Sequence, residues 1–349
     1  MSTILITGGA GFIGSHISLA LLEDNFNIVI IDSFINSYPK SIERVKEICN
    51  LNKINVDGRL KIYKGDLRDE VLLNKIFLEQ KNIKEPIIGV IHLAGLKAAG
   101  ESVENPLLYW DTNFLCSINL LKVMDANNCR TIVFSSSAMI YASSPSSVKE
   151  NDPIKPINPY GNTKFTIEML LNDLYLSSSR EWKIINLRYF NPIGAHYSGL
   201  IGESPKQYSM NLFPTILNVA SGNLTQVEIC GKDWDTKDGT GVRDYIHVMD
   251  LAEGHLYALN YLLLNNAQIK SINLGTGKGT TVLELINCFQ EVNNIKVPYV
   301  FSQRRKGDSA TFLAANDLAL SLFNWKPSRS IKEMCIDGWN WKLKNPKGY

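Results

Sequence analysis

Tyr160 and Lys164 stand four residues apart in Asn158-Pro159-Tyr160-Gly161-Asn162-Thr163-Lys164. The segment begins as helices begin, with an asparagine able to cap and a proline in the first turn. Four residues along a helix bring both side chains to one face. A free phenol with a pKa near ~10 is a poor base at neutral pH. A neighbouring ammonium favours the phenolate, and a downward shift of about 3 units requires roughly 4 kcal/mol from such neighbours. The run Ser135-Ser136-Ser137-Ala138 closes a strand-like stretch. One of its hydroxyls can hold a reacting oxygen and share a proton with the tyrosine. A Tyr-x-x-x-Lys pair recurs by accident, so the reading depends on what surrounds it.

A second constellation lies at the start of the chain. Thr7-Gly8-Gly9-Ala10-Gly11-Phe12-Ile13-Gly14 follows a strand-like Ile4-Leu5-Ile6 and precedes a helix-period run from Ile13 to Leu22. Glycines in that spacing allow a tight turn, bring backbone amides to a pyrophosphate and let a helix start pack close to a sheet. Asp32 ends the next strand, 18 residues beyond Gly14. A carboxylate there accepts from ribose hydroxyls and repels a ribose phosphate, so the pattern selects NAD over NADP. The positive ring of oxidised nicotinamide is then a second cation favouring a Tyr160 phenolate. Asp66, in Lys64-Gly65-Asp66-Leu67, follows the third strand and either meets the adenine or caps its own loop.

These groups need a scaffold, and the apolar rhythm supplies one. Ile4–Ile6, Ile28–Ile31, Leu60–Tyr63, Val90–Leu93, Thr131–Phe134 and Ile184–Leu187 read as buried parallel strands separated by segments long enough for helices. The expected fold class is α/β, a doubly wound Rossmann sheet with a smaller mixed α/β lobe that binds substrate. The expected division is 1–190 for the dinucleotide domain and 191–349 for the lobe, with a return to the sheet near 240–276. A helical run over Asp250–Leu264 and a strand at Ile272–Leu274 belong to that return. Irregular stretches around Ser198–Gln207 and Gly231–Gly241 mark the lobe.

The chain has 349 residues, 20% of them charged, with a formal net charge of +2, which gives no basic face for nucleic acid. No apolar stretch approaches the roughly 20 residues that span a bilayer. The strand-like start at Ile4 leaves no room for a leader, so a cytoplasmic location is expected. The six cysteines have neither zinc-knuckle nor redox spacing, and the five histidines form no ligand set, so no metal is expected.

Thr7–Gly14, Ser135–Ser137 and Tyr160–Lys164 together resemble the extended short-chain dehydrogenase/reductase group. Five further segments narrow the resemblance to the UDP-galactose (UDP-glucose) 4-epimerase family: His92–Ala98, Leu187–Ala195, Gly239–Asp250, Arg304–Asp308 and Trp339–Trp341. The resemblance covers essentially the whole chain. It implies an isomerase that interconverts UDP-galactose and UDP-glucose by transient oxidation at sugar C4 through tightly bound NAD. It selects Ser137 from the serine run, with Tyr160 and Lys164, as catalytic. It implies that Gly8, Gly11, Phe12, Ile13, Gly14, Asp32, Asn36, Ser37, Asp66, Leu67, Leu93, Lys97, Asn113, Tyr160, Lys164 and Tyr189 line the cofactor. For the UDP-sugar it implies Ser137, Tyr160, Phe190, Asn191, Asn211, Leu212, Arg243, Arg305, Asp308 and Phe312. Two guanidiniums suit a diphosphate, and amides with a carboxylate suit ribose and base edges. Phe312 would limit the sugar pocket to sugars without an N-acetyl group. The resemblance also implies a homodimer packed through helices near Leu107–Asn127 and Phe165–Ser177. The chain departs from the family pattern at Thr112, Cys116, Ala142 and Met210.

Two other activities share the first oxidation, nucleotide-sugar 4,6-dehydration and UDP-glucuronate decarboxylation. A dehydratase carries an adjacent Asp and Glu beside the serine run for its extra proton transfers. Here the neighbours are Ala138 and Met139. A non-catalytic dinucleotide sensor would have no use for Ser137, Tyr160 and Lys164 together.

Overall fold

The computed structural model describes residues 2–142, 147–177, 181–206, 211–305 and 308–349. Gln207 and Met210, named above, lie outside them, as do Lys306 and Gly307 within the Arg304–Asp308 segment. The chain forms two compact units. The first comprises Met1–Ala142, Pro153–Arg188 and Ala252–Ile272, and the second Ser143–Asp152, Tyr189–Leu251 and Asn273–Tyr349.

The first unit is built on β1 (Thr3–Thr7), β2 (Asn27–Asp32), β3 (Leu60–Lys64), β4 (Ile87–His92), β5 (Thr131–Ser137), β6 (Lys183–Tyr189) and β10 (Gln268–Leu274). They make one seven-stranded sheet in the order β10-β6-β5-β4-β1-β2-β3. β1 pairs in parallel with β2 and β4, β2 with β3, and β4 with β5. Each apolar run marked in the sequence is a strand of this sheet. The order reverses direction at β1 and β4, and in such sheets ligands bind beyond the strands' carboxyl ends at that switch. β1 and β2 are buried along their whole length, as strands covered on both faces must be.

Helices α1 (Phe12–Glu23), α2 (Pro39–Leu51), α3 (Glu70–Asn82), α4 (Ala99–Glu104), α5 (Pro106–Tyr109), α6 (Cys116–Ala126) and α7 (Pro159–Leu176) connect the strands. A π-helical turn, Trp110–Leu115, joins α5 to α6. Leu120, Val123 and Met124 of α6 and Ile167 and Leu171 of α7 pack with Leu5, Val90, Ile132 and Phe134 of the sheet in one core.

In the second unit β9 (Val242–His247) is central. β11 (Gly279–Thr281) runs antiparallel to it, while β7 (Asn191–Ile193) and β13 (Thr311–Phe312) run parallel. β8 (Val227–Cys230) pairs separately with β12 (Tyr299–Ser302). Phe213 of α8 (Leu212–Ala220), Leu285 and Phe289 of α10 (Val282–Asn293), and Met334 and Cys335 of α12 (Ile331–Lys344) form its core. α9 (Val248–Leu264) and α11 (Asp317–Phe323) complete the chain. No helix among the described residues is long and apolar enough to cross a membrane. All six cysteines are free.

Candidate active site

The turn from β1 into α1 is shaped by what glycine permits. Gly8 has φ +70°, and a Cβ there would lie 2.9 Å from the Ala94 backbone nitrogen. At Gly14 a Cβ would come within 2.3 Å of the Gly8 carbonyl oxygen. Side chains at either position would push the loop off the strands. Gly11 is the N-cap of α1 and contributes no side-chain cap, so the helix presents backbone N–H groups and the positive end of its dipole. That cradle suits a pyrophosphate.

Asp32, at the end of β2, accepts from Ala10 N (2.9 Å), Phe34 N (2.8 Å) and Ser37 Oγ (2.7 Å). Its carboxylate clips the glycine loop to the next strand, and Ser37 is part of the clip. A carboxylate has about four acceptor sites, which leaves capacity for a ribose hydroxyl. Asn36 is exposed beside it. Phe12 and Ile13, at the start of α1, are partly buried. Leu67 is buried in the core.

Asp66 makes a fork with Arg68, Oδ2 to Nη2 at 2.7 Å and Oδ1 to Nε at 3.1 Å, and accepts from the Arg68 amide at 2.9 Å. The guanidinium holds the carboxyl below the usual range. Loop capping is therefore one role that the geometry shows. Cys116 packs on this corner, its thiol 3.6 Å from Asp66 Oδ1, and burial pushes that thiol up to about 12.

The loop after β4 is fixed by a relay for which the sequence reading had no role. Leu93 N and Ala94 N donate to Thr7 Oγ1, 3.2 Å each, so the Thr7 hydroxyl donates onward to His92 Nδ1 at 2.7 Å. His92 Nε2 then donates to Ser117 Oγ at 2.9 Å, and that hydroxyl donates to Asn113 O at 2.7 Å. Burial, aided by the Lys164 ammonium, lowers the His92 pKa to about 3, so the imidazole is neutral. Asn113 sits in the π-helical turn, a distortion frequent at functional sites. Its amide exchanges two hydrogen bonds with the Leu96 backbone and donates to Thr163 Oγ1 at 3.1 Å. This ties the β4 loop, where Lys97 is exposed, to α7.

Asn158 caps α7 through Gly161 N at 2.8 Å, and Ser102 Oγ accepts from Tyr160 N at 3.2 Å. Ser137 Oγ accepts from Met139 N at 3.1 Å, and its hydroxyl draws the Tyr160 pKa down. Lys164 Nζ donates to Ser135 O at 2.6 Å and lies 6.0 Å from the centre of the Tyr160 ring. Burial lowers Lys164 to about 8. Burial also raises the Tyr160 pKa, and the Ser137 hydroxyl opposes this without overcoming it. Burial thus works against the phenolate that Lys164 and a bound nicotinamide are together expected to favour.

In the second unit β9 sets Arg243 opposite Phe312 of β13, and Asn191 of β7 opposite Tyr245. Arg243 Nη2 is 2.5 Å from Asp308 Oδ1, and its Nη1 donates to Ser309 O at 3.0 Å. The two groups assigned to diphosphate and ribose thus hold each other. Asn191 Nδ2 donates to Asp244 O at 3.1 Å. The Phe190 and Phe312 rings stack with centroids 5.3 Å apart, and Phe312 is only half-buried. Tyr189 is buried at the end of β6. Asn211 is the exposed N-cap of α8, and Leu212 packs on the core. Of two adjacent arginines, Arg304 is engaged by Asp233 and stacks on Trp234, whereas Arg305 is exposed.

Asp244 is a further residue without an assigned role. Fully buried, it accepts from Thr276 N and Oγ1, Gly277 N and Ala314 N at 2.6–3.1 Å. Burial raises its pKa against these donors. It anchors the Gly275-Thr276-Gly277 turn and the strand carrying Phe312 to the strand carrying Arg243. Its place between Arg243 and Tyr245 was the available signal.

A family model described as GDP-mannose 4,6 dehydratase matches residues 5–337. UDP-glucose 4-epimerase 2 of Arabidopsis thaliana is 48% identical over 99% of this chain and 97% of its own length. UDP-glucose 4-epimerase of Pasteurella multocida is 46% identical over 99% of each. Among solved structures, UDP-glucose 4-epimerase from Bifidobacterium longum, in complex with NAD+ and UDP, superposes with a TM-score of 0.92 at 41% identity, covering 100% of both chains. With full-length relatives at this identity and a site of this composition, the chain belongs to the UDP-glucose 4-epimerase family.

Proposed function

We propose that this chain is an NAD-dependent epimerase that interconverts UDP-glucose and UDP-galactose in galactose metabolism, with Tyr160, Ser137 and Lys164 performing the proton transfer. The observation that carries this reading is the buried Lys164 ammonium, bonded to the Ser135 carbonyl and 6.0 Å from the centre of the Tyr160 ring, in a unit that also holds a glycine cradle and Asp32. Bound NAD+ supplies a hydride acceptor for sugar C4, a donor for its return and a positive charge that favours the phenolate. Gly8–Gly14 cradle its pyrophosphate, and Asp32 receives the adenosine ribose.

Tyr160 takes the C4 hydroxyl proton, while Ser137 holds the same oxygen and shares that proton. Lys164 stabilises the phenolate while it exists. Arg243 and Arg305 neutralise the diphosphate, Asp308 and Asn211 read the uridine end, and Asn191 steadies the region between. Arg243 gives up part of its bond to Asp308 when the diphosphate arrives. Binding energy concentrated on the nucleotide leaves the 4-keto sugar free to present its other face, after which Tyr160 returns the proton. The dehydratase alternative finds no carboxylate in the Ala138–Met139 positions beside Ser137.

A homodimer is the second part of the proposal. Val103, Leu107, Leu115, Met169 and Leu176 are exposed apolar side chains on α4–α7. Grouped apolar exposure of this kind marks association surfaces. A cytosolic location fits the free thiols. Incubating the purified protein with UDP-galactose and resolving UDP-glucose by chromatography tests the activity. Absence of an equal-mass epimer, or a product lighter by one water, would overturn it. Sedimentation at micromolar concentration tests the dimer, and a monomer there would refute it.

A further inference from the structure

Two consecutive residues at the end of β5 are each held by one side chain from a single face of α7, and the third acts on a tyrosine of that face. Tyr160, Lys164 and Glu168 follow one another at four-residue intervals, so they share the face. Lys164 bonds the Ser135 carbonyl, Glu168 Oε1 accepts from Ser136 Oγ at 2.5 Å, and the Ser137 hydroxyl draws the Tyr160 pKa down.

Glu168 is itself fixed from the next strand. Arg188 of β6 grips it with a fork, Nη2 to Oε2 at 2.6 Å and Nε to Oε1 at 3.0 Å, and both side chains are about 95% buried. Arg188 is held in turn, donating to Tyr141 OH at 2.8 Å with its guanidinium 5.0 Å from that ring's centre. Ser271 Oγ of β10 reaches Glu168 Oε2 at 3.5 Å. Resting on the epimerase reading above, we propose that Glu168, locked by Arg188, is a positioning residue. Through Ser136 it fixes the register of the serine run against α7, and so sets where Ser137 stands relative to Tyr160. A planar fork suits this, because it fixes the orientation of the carboxylate as well as its distance.

A buried ion pair kept only for stability can be exchanged for apolar side chains of similar volume at little cost, and often with a gain. That separates the two roles. Three proteins are compared as purified holoenzymes: the wild type, Ser136→Ala, and the double variant Glu168→Leu/Arg188→Met. Measured quantities are bound NAD, melting temperature, and kcat and KM for UDP-galactose. The expected result is retained NAD and a cooperative melt in both variants, with KM within about twofold of the wild type. kcat falls about tenfold or more in the double variant and about threefold or more in Ser136→Ala. A folded, NAD-loaded double variant with kcat within twofold of the wild type would overturn the proposal. If the double variant does not fold, Ser136→Ala decides, and an unchanged kcat there overturns it equally. A wild-type protein that does not interconvert the two sugars would overturn the epimerase reading itself, whatever the variants do.

Discussion

Burial raises the Tyr160 pKa, so in the proposed reaction its hydroxyl depends on a further cation beside Lys164. Tyr160→Phe removes that hydroxyl and leaves the ring in place. It should retain bound NAD and lose at least about 100-fold in turnover, the scale of a positioned acid/base. Turnover within threefold of wild type would show that another group moves the proton. Lys164 gives a stability prediction of opposite sign. Its pKa is depressed to about 8 in the folded protein, so the burial cost is full below that pH, where both states hold the proton. Between about 8 and the ordinary lysine value the unfolded state binds more protons, so stability rises with pH. Lys164→Met removes a cost of up to about 3 kcal/mol, offset in part by the lost bond to Ser135. It should unfold at no lower temperature than the wild type at pH 7, lose its advantage toward pH 10, and be nearly inactive. A variant clearly less stable than the wild type at pH 7 would contradict this. Phe312, stacked on Phe190 and half-buried, belongs to the same scale. An acetamido group forced against that ring costs about 1–3 kcal/mol, so the wild type should turn over UDP-N-acetylglucosamine poorly. Phe312→Cys should gain that activity while largely keeping activity on UDP-glucose. A folded variant without the gain would place the pocket wall elsewhere.

At the scale of elements, the turn from β1 into α1 depends on β2 through Asp32 as much as on its own glycines. Asp32→Ala removes three hydrogen bonds, one of them from Ala10 within the turn. It should weaken NAD binding more than NADP binding, because a ribose acceptor and a charge that repels phosphate disappear together. Dissociation constants for both cofactors test this, and an unchanged ratio would leave Asp32 as a loop clip alone. The inner sheet strands were legible because a strand buried on both faces must be a continuous apolar run, whereas β3 and the first half of β10, only partly buried, carry lysines and polar residues among their apolar ones. The glycine turn and α7 were legible because their glycine, cap and proline positions have local causes. β7, β11 and β13 were not, since two or three residues carry no period. The Arg188–Glu168 fork joins residues 20 apart in sequence across two elements. Glu168 stands four residues beyond Lys164 and so on the same face, yet nothing local in the sequence names its partner.

For the whole molecule, the family resemblance implies what the rhythm of elements does not, namely which polar residues of the second unit would face a nucleotide sugar. The structure adds that Arg243 and Asp308 are joined by an ion pair, and that Asp244 clamps the strands that carry Arg243 and Phe312. In the proposed reaction one hydrogen leaves sugar C4 as hydride and returns to the same carbon. UDP-galactose carrying deuterium at C4, converted in ordinary water and read by mass spectrometry, tests this most directly. The deuterium should be retained at C4 of the UDP-glucose formed, because a transferred hydride does not exchange with solvent. Complete washout of the label would contradict the transient ketone and require removal of the C4 hydrogen as a proton.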